Sequence, residues 1–225
     1  MLFLSILLLS AQAEDLIGAD RPSVATGSSV LSQGSLQVEA GIQLDKIQEN
    51  SLMFSSPVML RYGVTNRLEI RPYTNVAAFS ATGSGLQLKT NIVQPGFSFL
   101  DSDLPISIGL LTSFDYSDEL GGSITALLDY GTGPLVGWLN LGMGSQSFNN
   151  ISLSGSYVVG TGYLFPSNHG VFIETSGSMT DMSNMTGQVG YFWLSNNLQL
   201  DLYLQHSTPD VEHLLIATGF AYKFR

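Results

Sequence analysis

From Gly34 to Phe224 the chain alternates apolar residues with small or polar ones, a period of two that sets successive side chains on opposite faces of a strand. Leu36, Val38, Ala40, Ile42 and Leu44 fall on one face, with Gln37, Glu39, Gly41 and Gln43 on the other. Near the end, Leu198, Leu200, Leu202 and Leu204 alternate with Gln199, Asp201, Tyr203 and Gln205. Such runs predict twelve strands, over 34–44, 50–62, 67–77, 84–99, 104–115, 122–131, 134–146, 151–164, 169–178, 185–194, 197–206 and 213–224. No helical period stands out. Most runs hold about ten residues or more, which suits a tilted strand crossing a bilayer better than the five or six usual in soluble sheets.

The connections alternate as well. Short links fall at Val64–Arg67, Asp101–Asp103, Gly131–Gly133, around Pro166–Asn168 and at Ser195–Asn197. Mostly longer, polar or glycine-rich links fall at Asp45–Glu49, Ala78–Gly83, Tyr116–Gly121, Ser145–Asn150, Thr180–Asn184 and Ser207–Glu212. Outer-membrane barrels have short turns on the periplasmic side and longer loops outside, so both ends of the strand array belong on the periplasmic side, as an even strand number requires. The fold class expected is therefore all-β: a closed antiparallel transmembrane β-barrel of about 12 strands. Closure follows because lipid offers no hydrogen-bond partner to a sheet edge.

Composition agrees. Charged residues make up 12% of the 225 residues and hydrophobic ones 44%, so a water-facing body would lack the charge to cover its outside. A secreted sandwich or soluble barrel is the competing fold; its outer face would then be built of Gly, Ser, Gln and Asn with hardly any charge. Eight Lys and Arg against eighteen Asp and Glu, net −10, leave no basic surface for nucleic acid. The chain has no Cys, which removes disulfides, thiolate metal sites and thiol nucleophiles together.

Met1–Ser10 is an apolar run followed by Ala11-Gln12-Ala13, a small-x-small cleavage pattern, so residues 1–13 read as a signal peptide. No Lys or Arg precedes the run, so either its n-region is atypical or the true start lies upstream. Residues 14–33 form a periplasmic N-terminal lead-in containing Asp20-Arg21-Pro22, with three courses open to it: the periplasmic mouth, the lumen, or disorder. Residues 34–225 are the outer-membrane β-barrel, in a Gram-negative envelope.

With the apolar face toward lipid, Tyr62, Tyr130, Tyr163, Tyr191, Trp193, Tyr222 and Phe224 lie near strand ends, where aromatic girdles sit. The opposite face collects most strand charges. Arg61, Glu69, Arg71 and Lys89 lie on consecutive strands and should neighbour Glu39 in a ladder of opposite charges. The ladder reads either as a constriction that selects solutes by charge or as salt bridges that fill and stiffen the lumen. Tyr73, Trp138 and Tyr203, with Phe172 and Phe192, offer rings on which an aromatic solute can stack, or are packing. Glu39, Arg61, Glu69, Arg71, Lys89, Tyr73, Trp138 and Tyr203 are thus the candidate solute pathway. His206 and His213 flank Asp210 and Glu212, but the spacing matches no metal motif. His206 and Ser207 are adjacent in a strand and point to opposite faces, so they make no nucleophile–base pair. No catalytic residue, metal or cofactor is expected.

The segment Leu60-Arg61-Tyr62-Gly63-Val64-Thr65-Asn66-Arg67-Leu68-Glu69-Ile70-Arg71 resembles the second hairpin of bacterial outer-membrane barrels described as transporters of the meta-pathway of phenol degradation. Asp20-Arg21-Pro22, Gly34 with Gln37, Glu39 and Gly41, Leu127-Leu128-Asp129-Tyr130, Leu198-Gln199-Leu200-Asp201 and Gly219-Phe220-Ala221-Tyr222-Lys223-Phe224 agree with it. The resemblance implies a channel or facilitator for passive passage of small solutes, aromatic or apolar ones among them. A closed structural or surface-binding barrel without transport is the alternative. The implied partners are outer-membrane lipid, the barrel assembly machinery and a small-molecule solute. Barrels of this kind usually end on an aromatic residue, whereas here Arg225 follows Phe224.

Overall fold

The computed structural model describes residues 17–48, 51–77, 80–93, 105–181, 183–208 and 213–224. Twelve strands lie among them: β1 Leu36–Gln48, β2 Ser51–Thr65, β3 Leu68–Ala77, β4 Ser80–Val93, β5 Ile106–Tyr116 and β6 Leu120–Thr132 form one half. The other half is β7 Leu135–Ser145, β8 Ser154–Leu164, β9 His169–Ser178, β10 Met185–Leu194, β11 Leu198–Thr208 and β12 His213–Phe224. Each strand pairs antiparallel with its sequence neighbours, and β1 closes the barrel on β12 with Leu36 opposite Phe224 and Gly41 opposite Gly219. Closure pairs the backbone of every strand on both sides and leaves no edge.

The two faces are those of an inside-out protein. Leu44, Phe54, Ile124, Ile173, Leu202 and Ile216 stand exposed on the outside, while Gln37, Glu39, Arg61, Glu69, Arg71 and Lys89 are buried on the inside. A surface of this kind is stable only against hydrocarbon. Tyr62, Tyr130, Tyr163, Tyr191, Tyr222 and Phe224 are exposed at the rim that carries the short turns, Tyr163 packing edge-on against Phe165 and Tyr222 against Phe224.

Short-turn chemistry explains that rim. Gly133, at φ 60°, and Asn168, at φ 63°, take the left-handed conformation that tight hairpin links demand, and Gly and Asn are the residues that tolerate it. On the opposite rim two predicted loops are largely strand. Asp45 pairs with Met53 and Lys46 with Leu52, and Gly83 with Asn75, so β1 and β2 approach to the link at 49–50, and β3 and β4 to the link at 78–79. Polar sequence marked the end of the apolar belt there, whereas strand pairing outlasts the belt because ladder hydrogen bonds do not need apolar side chains. β4 correspondingly starts at Ser80 rather than at 84, residues 94–99 of its expected range lying outside the described residues, and β8 starts at Ser154 rather than at 151. The predicted turn at Asp101–Asp103, the signal peptide at 1–13, Asp210 with Glu212, and Arg225 lie outside the described residues.

Candidate functional site

β1, β2, β3 and β4 each send one or two charged side chains inward at nearly one height, because an antiparallel register of even offset keeps them on one face. Gln37 stands opposite Arg61, Gly63 opposite Glu69, and Glu69 opposite Lys89. Arg61 sits between two carboxylates: Nε and Nη2 donate to Glu69 at 2.7 and 3.1 Å, and Nη1 donates to Glu39 Oε1 at 2.8 Å. Arg71 Nε lies 3.5 Å from Glu69 Oε1, and Lys89 Nζ 4.0 Å from the same oxygen. All five side chains are at most 3% exposed, so the lumen wall here is a dry ionic cluster.

The sixth member comes from outside the strands. Residues 17–35 run within the barrel, from Ile17 N–H, which donates to Ser195 O in the β10–β11 turn, to Gly34 N–H, which donates to Gly63 O. Asp20 Oδ2 meets Arg71 Nη2 at 2.5 Å, Lys89 Nζ at 3.2 Å and Arg61 Nη1 at 3.9 Å. Its Oδ1 accepts from Gly27 N at 3.1 Å and so folds the segment into a loop. Burial opposes ionisation of Asp20, yet the charges of Lys89, Arg61 and Arg71 outweigh it and hold the carboxyl below the ordinary carboxylate range. A depressed folded pKa stabilises above the unfolded value of 3.8 and loses that contribution as pH falls through the folded value. The stability difference between wild type and Asp20→Asn is therefore expected to narrow as the pH is taken from about 5 down through 4 and below. Thermal midpoints of the folded barrel across that range test it, and a difference that widens on acidification contradicts the assignment.

The rest of the segment has no ladder and is held by inward side chains instead. Glu174 accepts from Ser23 Oγ and Val24 N, both at 2.5 Å, and from Trp138 Nε1 at 3.1 Å. Asn140 pairs twice with Thr26, taking its N–H at 2.9 Å and donating to its carbonyl at 3.0 Å. Asp129 takes both the N–H and the hydroxyl of Ser28, and Glu69 takes Leu31 N at 2.7 Å. Gln188 and Gln199 donate to the carbonyls of Pro22 and Arg21, and Arg21 itself pairs with Asp201 at 3.2 Å. Backbone groups that a barrel lumen would otherwise strip of water are thus satisfied one by one.

The segment divides the lumen. On the short-turn side lies a mainly apolar cavity of about 680 Å³ lined by Ile17, Ala19, Trp138, Phe172, Phe192 and Leu194. On the other side, Val24 and Thr26 border a polar cavity of about 290 Å³ with Gln87, Ser113 and Thr125. A mouth of about 510 Å³ continues it, lined by Tyr73, Asn75, Asp115 and Ser123. Residues 23, 25 and 27 face the first cavity and residues 24 and 26 the second, so an extended stretch of backbone is the septum.

The structure therefore places the predicted site residues in three groups. Glu39, Arg61, Glu69, Arg71 and Lys89 come together as a cluster. Trp138 borders the inner cavity, and Tyr73 borders the outer mouth, where its hydroxyl hydrogen-bonds Asp115. Tyr203 belongs to neither; it is buried against Phe172 and Ala217 with its hydroxyl on Gln43. Of the three courses open to the lead-in the structure shows the lumen, and sequence reasoning did not count its Asp20 and Arg21 among the site residues. The signal was there: a charged pair ahead of the first strand in a chain poor in charge. Among the described residues no group of three His, Asp or Glu has metal-binding geometry.

The Leu60–Arg71 hairpin acquires a physical meaning. Arg61 and Arg71 bind the Asp20 carboxylate and Glu69 the Leu31 N–H, Asn66 Oδ1 takes Gln33 N at 3.0 Å, and Gly63 leaves the space in which Leu31 and Ser32 lie. The motif is the seat of the segment.

No family model matches the chain, and no curated relative matches either. Solved structures do. The chain is similar to the KdgM porin in complex with disordered oligogalacturonate, at 10% identity over 84% of this chain and 99% of that one, TM-score 0.64. An outer membrane channel from Pseudomonas putida F1 aligns at 11% identity over 90% and 100%, TM-score 0.64. The NanC porin aligns at 10% identity over 84% and 100%, TM-score 0.63. These likenesses establish the architecture: a closed, 12-stranded antiparallel barrel of the kind found in outer-membrane porins.

Proposed function

We propose that this protein is an outer-membrane channel for passive passage of small solutes, aromatic ones among them. The observation that carries the reading is the inverted barrel: an apolar outside around a charged interior with cavities opening toward both rims. A filled, purely structural barrel shares the apolar outside and can use the charges as internal salt bridges, but it needs no cavities. The structural neighbours named as porins and as a channel support the same reading, as they support a location in the outer membrane, with its lipid and the barrel assembly machinery as partners. The apolar inner cavity with Trp138, Phe172 and Phe192, together with the resemblance to phenol-pathway barrels, supports an aromatic or apolar solute. The wall charges shape the route.

Single-channel recording of the refolded protein in a planar bilayer, with and without phenols and benzoates, tests this. Discrete steps modified by an aromatic solute are the expected result. A folded barrel without steps favours the second reading, a closed structural or surface-binding protein, which the segment crossing the lumen supports. In the same recordings Arg71→Glu reverses one charge of the lumen wall and is expected to shift the reversal potential in a salt gradient toward cations. An unchanged potential demotes the cluster to scaffolding.

A further inference from the structure

We propose that the Asp20 carboxylate occupies a small-anion site of the lumen wall, formed by Arg61, Arg71 and Lys89, for which the carboxylate of an aromatic or apolar monoacid competes. Three cations converge on one oxygen of Asp20, at 2.5, 3.2 and 3.9 Å, an arrangement that recognises any carboxylate and carries nothing specific to aspartate. The wall alone is unbalanced: Arg61, Arg71 and Lys89 face Glu39 and Glu69, so without Asp20 one buried positive charge is uncompensated. Arg71 also holds two buried N–H groups, at Nε and Nη1, with no hydrogen-bond partner, although its side chain is 1% exposed. A second carboxylate geometry has donors waiting for it.

The occupant is separable from the site. Asp20 sits on the segment outside the strands, held by side-chain contacts that break one at a time, whereas the three cations are fixed in a closed ladder. Asp20 also lines the inner cavity, whose wall includes Trp138, Phe172 and Phe192. An acid group in Asp20's place therefore has an apolar volume of about 680 Å³ beside it for its body, enough for a benzene ring. The chemical class is a monocarboxylate with an aromatic or compact apolar body. Its binding and the docking of the segment exclude one another, so the solute itself loosens the septum. This deepens the channel reading and relies on it only for the solute's route.

The test is calorimetric titration of benzoate, with phenol as the uncharged control, into the refolded protein in detergent, with folding checked by heat-modifiable migration. Asp20→Asn removes the internal competitor, and benzoate is expected to bind about tenfold tighter than to wild type, phenol being unaffected. Adding Arg71→Gln to that variant is expected to abolish the gain. Equal benzoate affinity in wild type and Asp20→Asn, or an equal gain for phenol, overturns the proposal. Should Asp20→Asn not fold, the wild-type site is read by thiol labelling of Ala25→Cys, which is unique in a chain without Cys and 5% exposed in the docked segment. Benzoate is expected to accelerate labelling and phenol not to, whereas rates indifferent to benzoate overturn the proposal. Binding is read without conduction, so a barrel that takes benzoate but passes no current defeats the channel reading and leaves the site standing.

Discussion

Arg61→Met is expected to lower the stability of the barrel by about 3–5 kcal/mol, more than any other single change in the lumen wall. The guanidinium is 1% exposed and holds Glu69 at two points, Glu39 at one and the carbonyl of Gly18 at 3.1 Å. Without it two buried carboxylates remain. Glu69 keeps Arg71 and Lys89 only at 3.5 and 4.0 Å, beyond good hydrogen-bond distance. Breaking a buried pair from one side costs far more than never having built it, so the double variant Arg61→Met, Glu39→Gln, which leaves Arg71 and Lys89 balanced by Asp20 and Glu69, is expected to regain part of the loss. Denaturant unfolding followed by the fluorescence of Trp138 and Trp193 measures both. A loss under about 1 kcal/mol for the single variant would mean that water screens the cluster as it screens surface pairs.

The second large effect is expected at Gly63. A Cβ there would overlap the carbonyl oxygens of Leu31 and Ser32, which are backbone and cannot swing aside as a side-chain tip can. The strand is pinned by its ladder, with Gly63 opposite Glu69, so the segment is what moves. It also loses the exchange in which Gly34 N–H donates to Gly63 O and Gly63 N–H to Ser35 O. Overpacking of this order costs about 1–3 kcal/mol, so Gly63→Val is expected to raise the undocked fraction of the segment by about five- to a hundred-and-fiftyfold. Labelling of Ala25→Cys in the Gly63→Val background reads that fraction directly. Labelling no faster than in the Ala25→Cys parent would show that residues 17–35 stay docked without this fit.

The first effect belongs to the wall that the strand pattern encodes, the second to a segment that it does not. The barrel was legible because its information is local and repeated. Alternation of period two in Leu36–Leu44 or Leu198–Gln205 names a strand, its length names a bilayer, and the even count names closure. Parity alone also placed Glu39, Arg61, Glu69, Arg71 and Lys89 on one face, since each strand's inward set is decided by its apolar set. Strand ends on the long-loop rim were less legible, because pairing at Asp45–Lys46 and Ser80–Gly83 continues through residues that carry no apolar signal.

Residues 17–35 have no period, no strand ladder and no helix, so nothing local in them states a conformation. Their course is set by partners 38 to 180 positions away: Glu69 for Leu31, Asp129 for Ser28, Asn140 for Thr26, Glu174 for Val24 and Asp201 for Arg21. A carboxylate facing inward is equally consistent with open water, a passing solute or a peptide N–H until the barrel has closed and removed the water. The sequence by itself therefore determined the wall and the sign of its inner charges. Only the tertiary structure decided that Asp20 completes the cationic cluster and that the lumen is divided, because desolvation inside a closed ring makes those contacts obligatory and no shorter stretch of chain can bring them together.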